Sequence, residues 1–189
     1  MMRVEPLSPL LVPAWRRLFE HSGCDCYCRY WHFEGTKNEW LDRCANRPEE
    51  NATEEPRATG LVALEGADAV GWMKIAPRAG MPKLRRLSVY KSRDLGSDEG
   101  VLSIGCFLVD PSRRGRGVAR ALLEAAPAYA RSVGAGTLEA YPRRSDHRLG
   151  DEEAWMGQLE LYLSLGFVAV ETPGAAGTFE AYPVLRLSV

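Results

Sequence analysis

The chain is poor in the features that mark the commonest functional classes. No run approaches the roughly 18 consecutive apolar residues of a membrane span, so no spanning helix is expected. The start, Met1-Met-Arg-Val-Glu-Pro6, has no apolar stretch that would serve a secretory signal. Charge of one sign is not in excess. The 24 Lys and Arg face 25 Asp and Glu, and the formal net charge of −1 supplies no global field for nucleic acid or a membrane surface. Cysteines number five, an odd count that fits a reducing cytoplasm better than a secreted disulfide scaffold. There is no Gly-Lys pair, so no Walker phosphate loop can be written. Gly115-x-Gly117 is followed by Ala119-Arg120, so the third glycine of the dinucleotide fingerprint is missing. Internal repeats and low-complexity segments are absent as well. What is left is ordinary globular composition, 46% apolar and 26% charged over 189 residues, enough for one domain with a sizeable core.

One run departs from that plain background: Arg113-Arg114-Gly115-Arg116-Gly117-Val118-Ala119. An apolar strand, Val101 to Val109, precedes it by way of Asp110-Pro111-Ser112. A helix follows from about Gly117 to Val133, with Val118, Leu122, Leu123, Ala126, Tyr129, Ala130 and Val133 on one face. A strand that delivers a glycine-rich turn to a helix start presents free backbone amides at the positive end of the helix dipole. Glycines allow close approach of a ligand, and Arg113, Arg114, Arg116 and Arg120 add local charge, with Arg143, Arg144 and Arg148 further on. This is the chemistry of a pyrophosphate cradle.

Other elements follow from periodicity. Arg3 to Leu7 reads as a first strand and Pro9 to Glu20 as a helix that Gly23 ends. Thr36 and Glu39 form a capping box for a second helix, with Trp40, Leu41 and Cys44 on its inner side. Pro48 to Pro56 reads as a loop or frayed helix end. Gly60–Glu65 and Ala69–Ala76 read as a hairpin around Gly66-Ala-Asp68. Met81 to Leu87 reads as a short helical turn, and Tyr90 to Gly100 as a loop. A strand at Thr137 to Tyr141, a charged loop, a helix from Asp151 to Leu165 stopped by Gly166, and strands Phe167–Val170 and Thr178–Leu187 complete the order. Pro127 lies inside the long helix, where it removes a hydrogen bond and predicts a kink.

Arg114-x-x-Gly117-x-Ala119 resembles the acetyl-CoA loop of the GCN5-related N-acetyltransferase (GNAT) superfamily, and Leu161-Tyr162-Leu-Ser-Leu-Gly166-Phe167 resembles its second signature. The order of elements also matches. The resemblance implies an α+β (mixed α/β) fold with a mostly antiparallel sheet of six or seven strands, splayed at strand 101–109 and flanked by about four helices. It implies one domain over residues 1–189, with a helical acceptor side at about 8–57 and a cofactor-binding core at about 60–187. Cys26-Tyr-Cys-Arg-Tyr-Trp31, Gly71-Trp72 and Tyr141-Pro142 resemble the Cys- and Trp-rich stretch, Gly-Trp and Tyr-Pro of a bacterial subgroup.

By the same resemblance, the chain is an acetyl-CoA-dependent N-acetyltransferase. The amides of Arg114, Gly115, Arg116, Gly117, Val118 and Ala119 would take the pyrophosphate, and the strand edge at Phe107, Leu108 and Val109 the pantetheine arm. Tyr162 would protonate the departing thiolate. Tyr30, Trp31, Trp72 and Tyr141 would lie on the acceptor side, facing a small-molecule or protein amine. Members of the superfamily often pair, which is compatible with a homodimer. An amine of pKa about 10.4 needs a base, yet strand 101–109 has no acid. Asp98, Glu99, Glu139, His147, Glu160 and a water chain stay open as candidates.

Two other readings compete. A non-catalytic acyl-CoA sensor would use the same fold. A metal or redox module would use Cys24, Cys26, Cys28 and Cys44 with His21 and His32, but one-residue spacing is tight for a tetrahedral ion and no second Cys-x-x-Cys pair exists. No metal is therefore expected, and the cysteines read as small packing residues.

Overall fold

Leu61, Val62, Ala63 and Leu64 are all buried, so this strand is covered on both faces and its apolar run is continuous rather than alternating. In a computed structural model, which describes residues 1–53, 59–147, 149–150, 153–172 and 181–189, it is one of seven strands. These are β1 Met2–Pro6, β2 Gly60–Glu65, β3 Asp68–Pro77, β4 Val101–Val109, β5 Thr137–Ala140, β6 Val168–Val170 and β7 Val184–Ser188. They run in the order β1-β2-β3-β4-β5-β7-β6. Only β4 and β5 pair in parallel.

Six helices are described rather than four: α1 Val12–His21, α2 Lys37–Asn46, α3 Pro48–Thr53, α4 Pro82–Arg86, α5 Val118–Ser132 and α6 Leu159–Ser164. The additions are the short α3 and α4. The capping box at Thr36 and Glu39 is formed as expected, but Leu41 is 54% exposed and only Trp40 of the inner trio is fully buried. Helix α5 runs unbroken through Pro127 and lays Val118, Leu122, Leu123, Ala126 and Ala130 on the sheet, while Val133 points outward. The opposite face is covered by α1, whose Trp15 and Phe19 pack with Tyr27 and Trp72.

Two elements are shorter than the sequence predicts. The helix expected from Asp151 begins at Leu159, because Gly157 has a φ of +89° that a helix cannot continue through. Asp151 itself lies outside the described residues. The strand expected from Thr178 is seen from Val184, and residues 178–180 likewise lie outside.

The register shows where the sheet parts. Strands β4 and β5 pair from Val101–Thr137 to Ile104–Ala140 and no further, while β4 stays paired with β3 as far as Val109. At the parting, Ile104 pairs with Ile75 and Cys106 with Lys74, which leaves Gly105 as a bulge. A side chain at Gly105 would meet the Trp31 indole at 2.5 Å.

A buried ionic network clamps the closed end of the parting. Glu139 on β5 accepts from Arg78 at 2.9 Å and from Arg186 on β7 at 2.7 Å, and Arg78 also reaches Asp98 at 2.5 Å. The Tyr141 hydroxyl donates to Glu139 at 2.5 Å and accepts from Ser103 at 2.6 Å. Removing one partner of such a network strands the others' charge in the interior. Glu139→Gln should therefore lower the unfolding free energy by about 3–5 kcal/mol in urea melts. A loss of about 1 kcal/mol or less would show that Asp98 alone satisfies Arg78.

Candidate active site

The strand-loop-helix unit is held from both sides. Asp110 accepts from the Ser112 amide at 2.8 Å and from its hydroxyl at 2.6 Å, which shapes the turn after β4. Arg113 is drawn to Glu65 at 2.8 Å, so it pins the loop to β2 instead of facing a ligand. Gly115 and Gly117 have φ of +71° and +81°, conformations that other residues adopt only with strain. A Cβ on either would meet nothing within 4 Å, so the space above them is open. The first helical bond of α5 is from the Ala121 amide to the Gly117 carbonyl, 2.9 Å. The amides of Val118, Ala119 and Arg120 precede it, and the N-cap residue, Gly117, has no side chain to cap them. Arg114, Gly115, Arg116 and Gly117 are exposed.

Val118 fixes where that helix end lies. It is buried directly over Gly71, at a separation too short for any side chain there. Gly71 is the register partner of Val109. The helix amides and the end of β4 are thus tied to one residue of β3.

The open edge of β4 can be read from its hydrogen bonding. The Asp110 amide donates to Val70 on β3 at 3.0 Å. Alternation along an antiparallel pair then turns the amides of Phe107 and Val109 away from β3, toward the side where β5 has ended. The Phe107 amide is taken by the carbonyl of Trp155 at 2.7 Å. Leu108 packs on the opposite side, toward α1.

Tyr162 comes to the same place. Its ring packs edge-on against Phe107, with centroids 6.3 Å apart, and against Phe167. It is fully buried, its hydroxyl donates to the Met156 carbonyl at 2.9 Å, and burial raises its pKa. The phenol therefore stays protonated across the neutral range.

The four aromatics assigned to the acceptor side separate into two groups. Trp31 covers the Gly105 bulge and stacks on Trp155, with centroids 5.5 Å apart, and Tyr30 stands edge-on to both. Trp72 is buried beneath α1 against Trp15, and Tyr141 belongs to the Glu139 network. The base candidates are dispersed too. Glu139 and Asp98 are bound by arginines. His147 and Glu160 come together on a cavity of about 320 Å³ that Arg143 and Gln158 also line.

Lys74 stands in no motif that would single it out. It is buried on β3 opposite Cys106, and burial together with nearby Arg29 pushes its amine down to about 7. A lone lysine in an apolar strand is the only signal it left. The cysteines do more than pack. Cys28 and Cys106 form a disulfide that ties the aromatic segment to β4. Cys24 lies 3.4 Å from Cys26, whose hydrogen bond lowers Cys24 to about 7. Among the described residues no group of three or more His, Cys, Asp or Glu is arranged to hold a metal.

Residues 15–167 match the family model described as the acetyltransferase (GNAT) family. The chain belongs to that family. No curated protein matches the sequence. Solved structures share the fold across its length at low identity. The N-acetyltransferase of Staphylococcus aureus Mu50 is 14% identical with a TM-score of 0.53, covering 100% of this chain and 98% of its own. The yncA protein of Salmonella typhimurium, solved with its cofactor acetyl-CoA, is 16% identical with a TM-score of 0.53, covering 99% and 93%. The PaiA N-acetyltransferase of Thermoplasma acidophilum, in complex with coenzyme A, is 11% identical with a TM-score of 0.56, covering 100% and 99%.

The Val118–Gly71 contact that sets the start of α5 is testable by packing alone. Gly71→Ala should destabilise the protein by about 1–3 kcal/mol through overpacking, and Val118→Ala in the same chain should recover most of that loss. Additive losses in the denaturant melts of the double variant would show that the two residues do not oppose each other.

Proposed function

We propose that the protein moves an acetyl group from acetyl-CoA to a primary amine. The observation that carries this reading is the coupling of uncapped amides at the start of α5 to the open edge of β4 through Val118, Gly71 and Val109. The pyrophosphate would lie on the amides of residues 114–119, which the positive helix end favours. The pantetheine arm would run along Phe107 to Val109 as an added strand. The acetyl-CoA and coenzyme A complexes of the yncA and PaiA proteins support acetyl-CoA as the co-substrate.

The chemistry follows in one ternary complex. The amine nitrogen attacks the thioester carbonyl carbon, the carbon–sulfur bond breaks, the amine's proton passes to solvent, and solvent restores the proton that Tyr162 gives to sulfur. We assign the protonation of the leaving thiolate to Tyr162, whose ring packs on Phe107 and whose phenol is kept protonated by burial before the step. The acceptor would approach past Tyr30 and Trp31, an aromatic wall suited to an amine with an apolar part.

A binding-only acyl-CoA sensor is the second reading. The observation behind it is that β4 bears no carboxylate, while Asp98 and Glu139 are occupied by arginines. Thiol release with a panel of amines separates the two: tight CoA binding without turnover on any amine supports the sensor.

Two variants test the roles directly. Gly117→Glu sets a carboxylate against the phosphates and Gly117→Ala reports backbone strain alone, so CoA affinity by calorimetry should fall at least about tenfold further in the first. Equal losses would remove the phosphates from this loop. Tyr162→Phe should lower kcat by about 10²-fold or more while CoA affinity stays within about twofold. Unchanged turnover would take the proton donor role away from Tyr162.

A further inference from the structure

The groups that the proposed reaction needs are engaged by one short segment of the chain itself. Residues Ala154 to Gly157 cross the gap where β4 has parted from β5. The Trp155 carbonyl accepts the Phe107 amide at 2.7 Å, and the Met156 carbonyl accepts the Tyr162 hydroxyl at 2.9 Å. One peptide thus supplies acceptors to the strand edge and to the phenol.

The segment is fitted to that position. Gly157 has a φ of +89°, and a Cβ there would stand 2.7 Å from the Tyr162 ring and 3.0 Å from Phe107. Only glycine lets the chain pass between them. The Trp155 indole, still partly exposed, stacks on Trp31 and meets Tyr30 edge-on. The Trp31 indole N–H is buried over Gly105 with no hydrogen-bond partner among the described residues. The arrangement therefore holds a buried donor unsatisfied beside the slot, while a peptide carbonyl stands where a thioester arm's amide carbonyl would pair.

We propose that residues 154–157 form a strap that occupies the thioester-arm slot in the free protein and is displaced when acetyl-CoA binds. This rests on the reading of the site as an acetyl-CoA site. Displacement frees the Phe107 amide for the arm and the Tyr162 hydroxyl for the sulfur. Because Trp155 is stacked on Trp31, the same movement uncovers the aromatic wall on the acceptor side. Cofactor binding then precedes acceptor binding, and the closed strap keeps the proton donor engaged until the thioester is in place. The strap competes with the cofactor, so the apparent dissociation constant exceeds the intrinsic one by the reciprocal of the open fraction.

That competition gives the test its sign. Trp155→Ala removes the stack that holds the strap down, and Gly157→Ala puts a methyl against Tyr162. CoA is the probe, with the full chain, by calorimetry. Each variant should bind CoA more tightly by roughly threefold to tenfold, the range open when a tenth to a third of the free protein is already competent. Hydrogen exchange of the wild type should speed up in the 154–157 peptide on adding CoA while the 114–119 loop slows. Unchanged or weaker binding in Trp155→Ala, or slowed exchange in 154–157, overturns the strap and leaves the acetyltransferase reading standing. Failure of the wild type and both variants to bind CoA overturns the two together.

Discussion

The structure depends on the separation of two parallel neighbours in the middle of a sheet. Strand β4 keeps β5 for four residues and then loses it, so the amides of Phe107 and Val109 face a gap instead of a strand. Backbone donors in such a place must find an acceptor, since an unpaired buried amide costs on the order of 1–3 kcal/mol. A sheet interior that exposes its own hydrogen-bonding edge is otherwise a liability. Here the Trp155 carbonyl meets that need at Phe107, and the proposed thioester arm would meet it in its place.

The elements that frame the slot hold its walls in place or aim it. At the closed end, Glu139 is clamped by Arg78 and Arg186, so the strands cannot part further. At the parting, the Gly105 bulge bends β4, and the Trp31 indole fills the space a side chain would need. At the open end, Val118 seated on Gly71 brings the amides of α5 to the end of the edge. The cofactor proposed for this site, with a peptide-like arm and a diphosphate tail, would meet these features in order. Tyr162 packs on Phe107 from the α6 side, where the proposed reaction needs a proton donor.

The local parts of this arrangement were legible in the sequence. The hairpin of β2 and β3, the capping box at Thr36 and Glu39, and the amphipathic face of α5 each follow from neighbours within a turn or two. The turn at Gly115 and Gly117 and the helix that carries Tyr162 were readable because their spacing is short and their residue types particular. The parts that were not legible are set by distant pairings. Trp72 reads as a wall residue but is buried under α1, and Tyr141 reads as one but is bound to Glu139. Nothing in the strand containing Glu139 announces arginines from β7 and from beyond β3. The helix expected from Asp151 starts late because Gly157 must pass between Tyr162 and Phe107, a contact that no local pattern contains. The bridge from Cys28 to Cys106 spans 78 residues and is equally silent.

The most direct measurement is a titration of the isotope-labelled chain with CoA, followed by the backbone amide resonances. The account predicts that Val109, Gly117, Val118 and Ala119 shift together and saturably, with Phe107 moving as its partner changes from Trp155 to the ligand. Saturable binding that leaves those amides unmoved, and shifts resonances on another face, would contradict it.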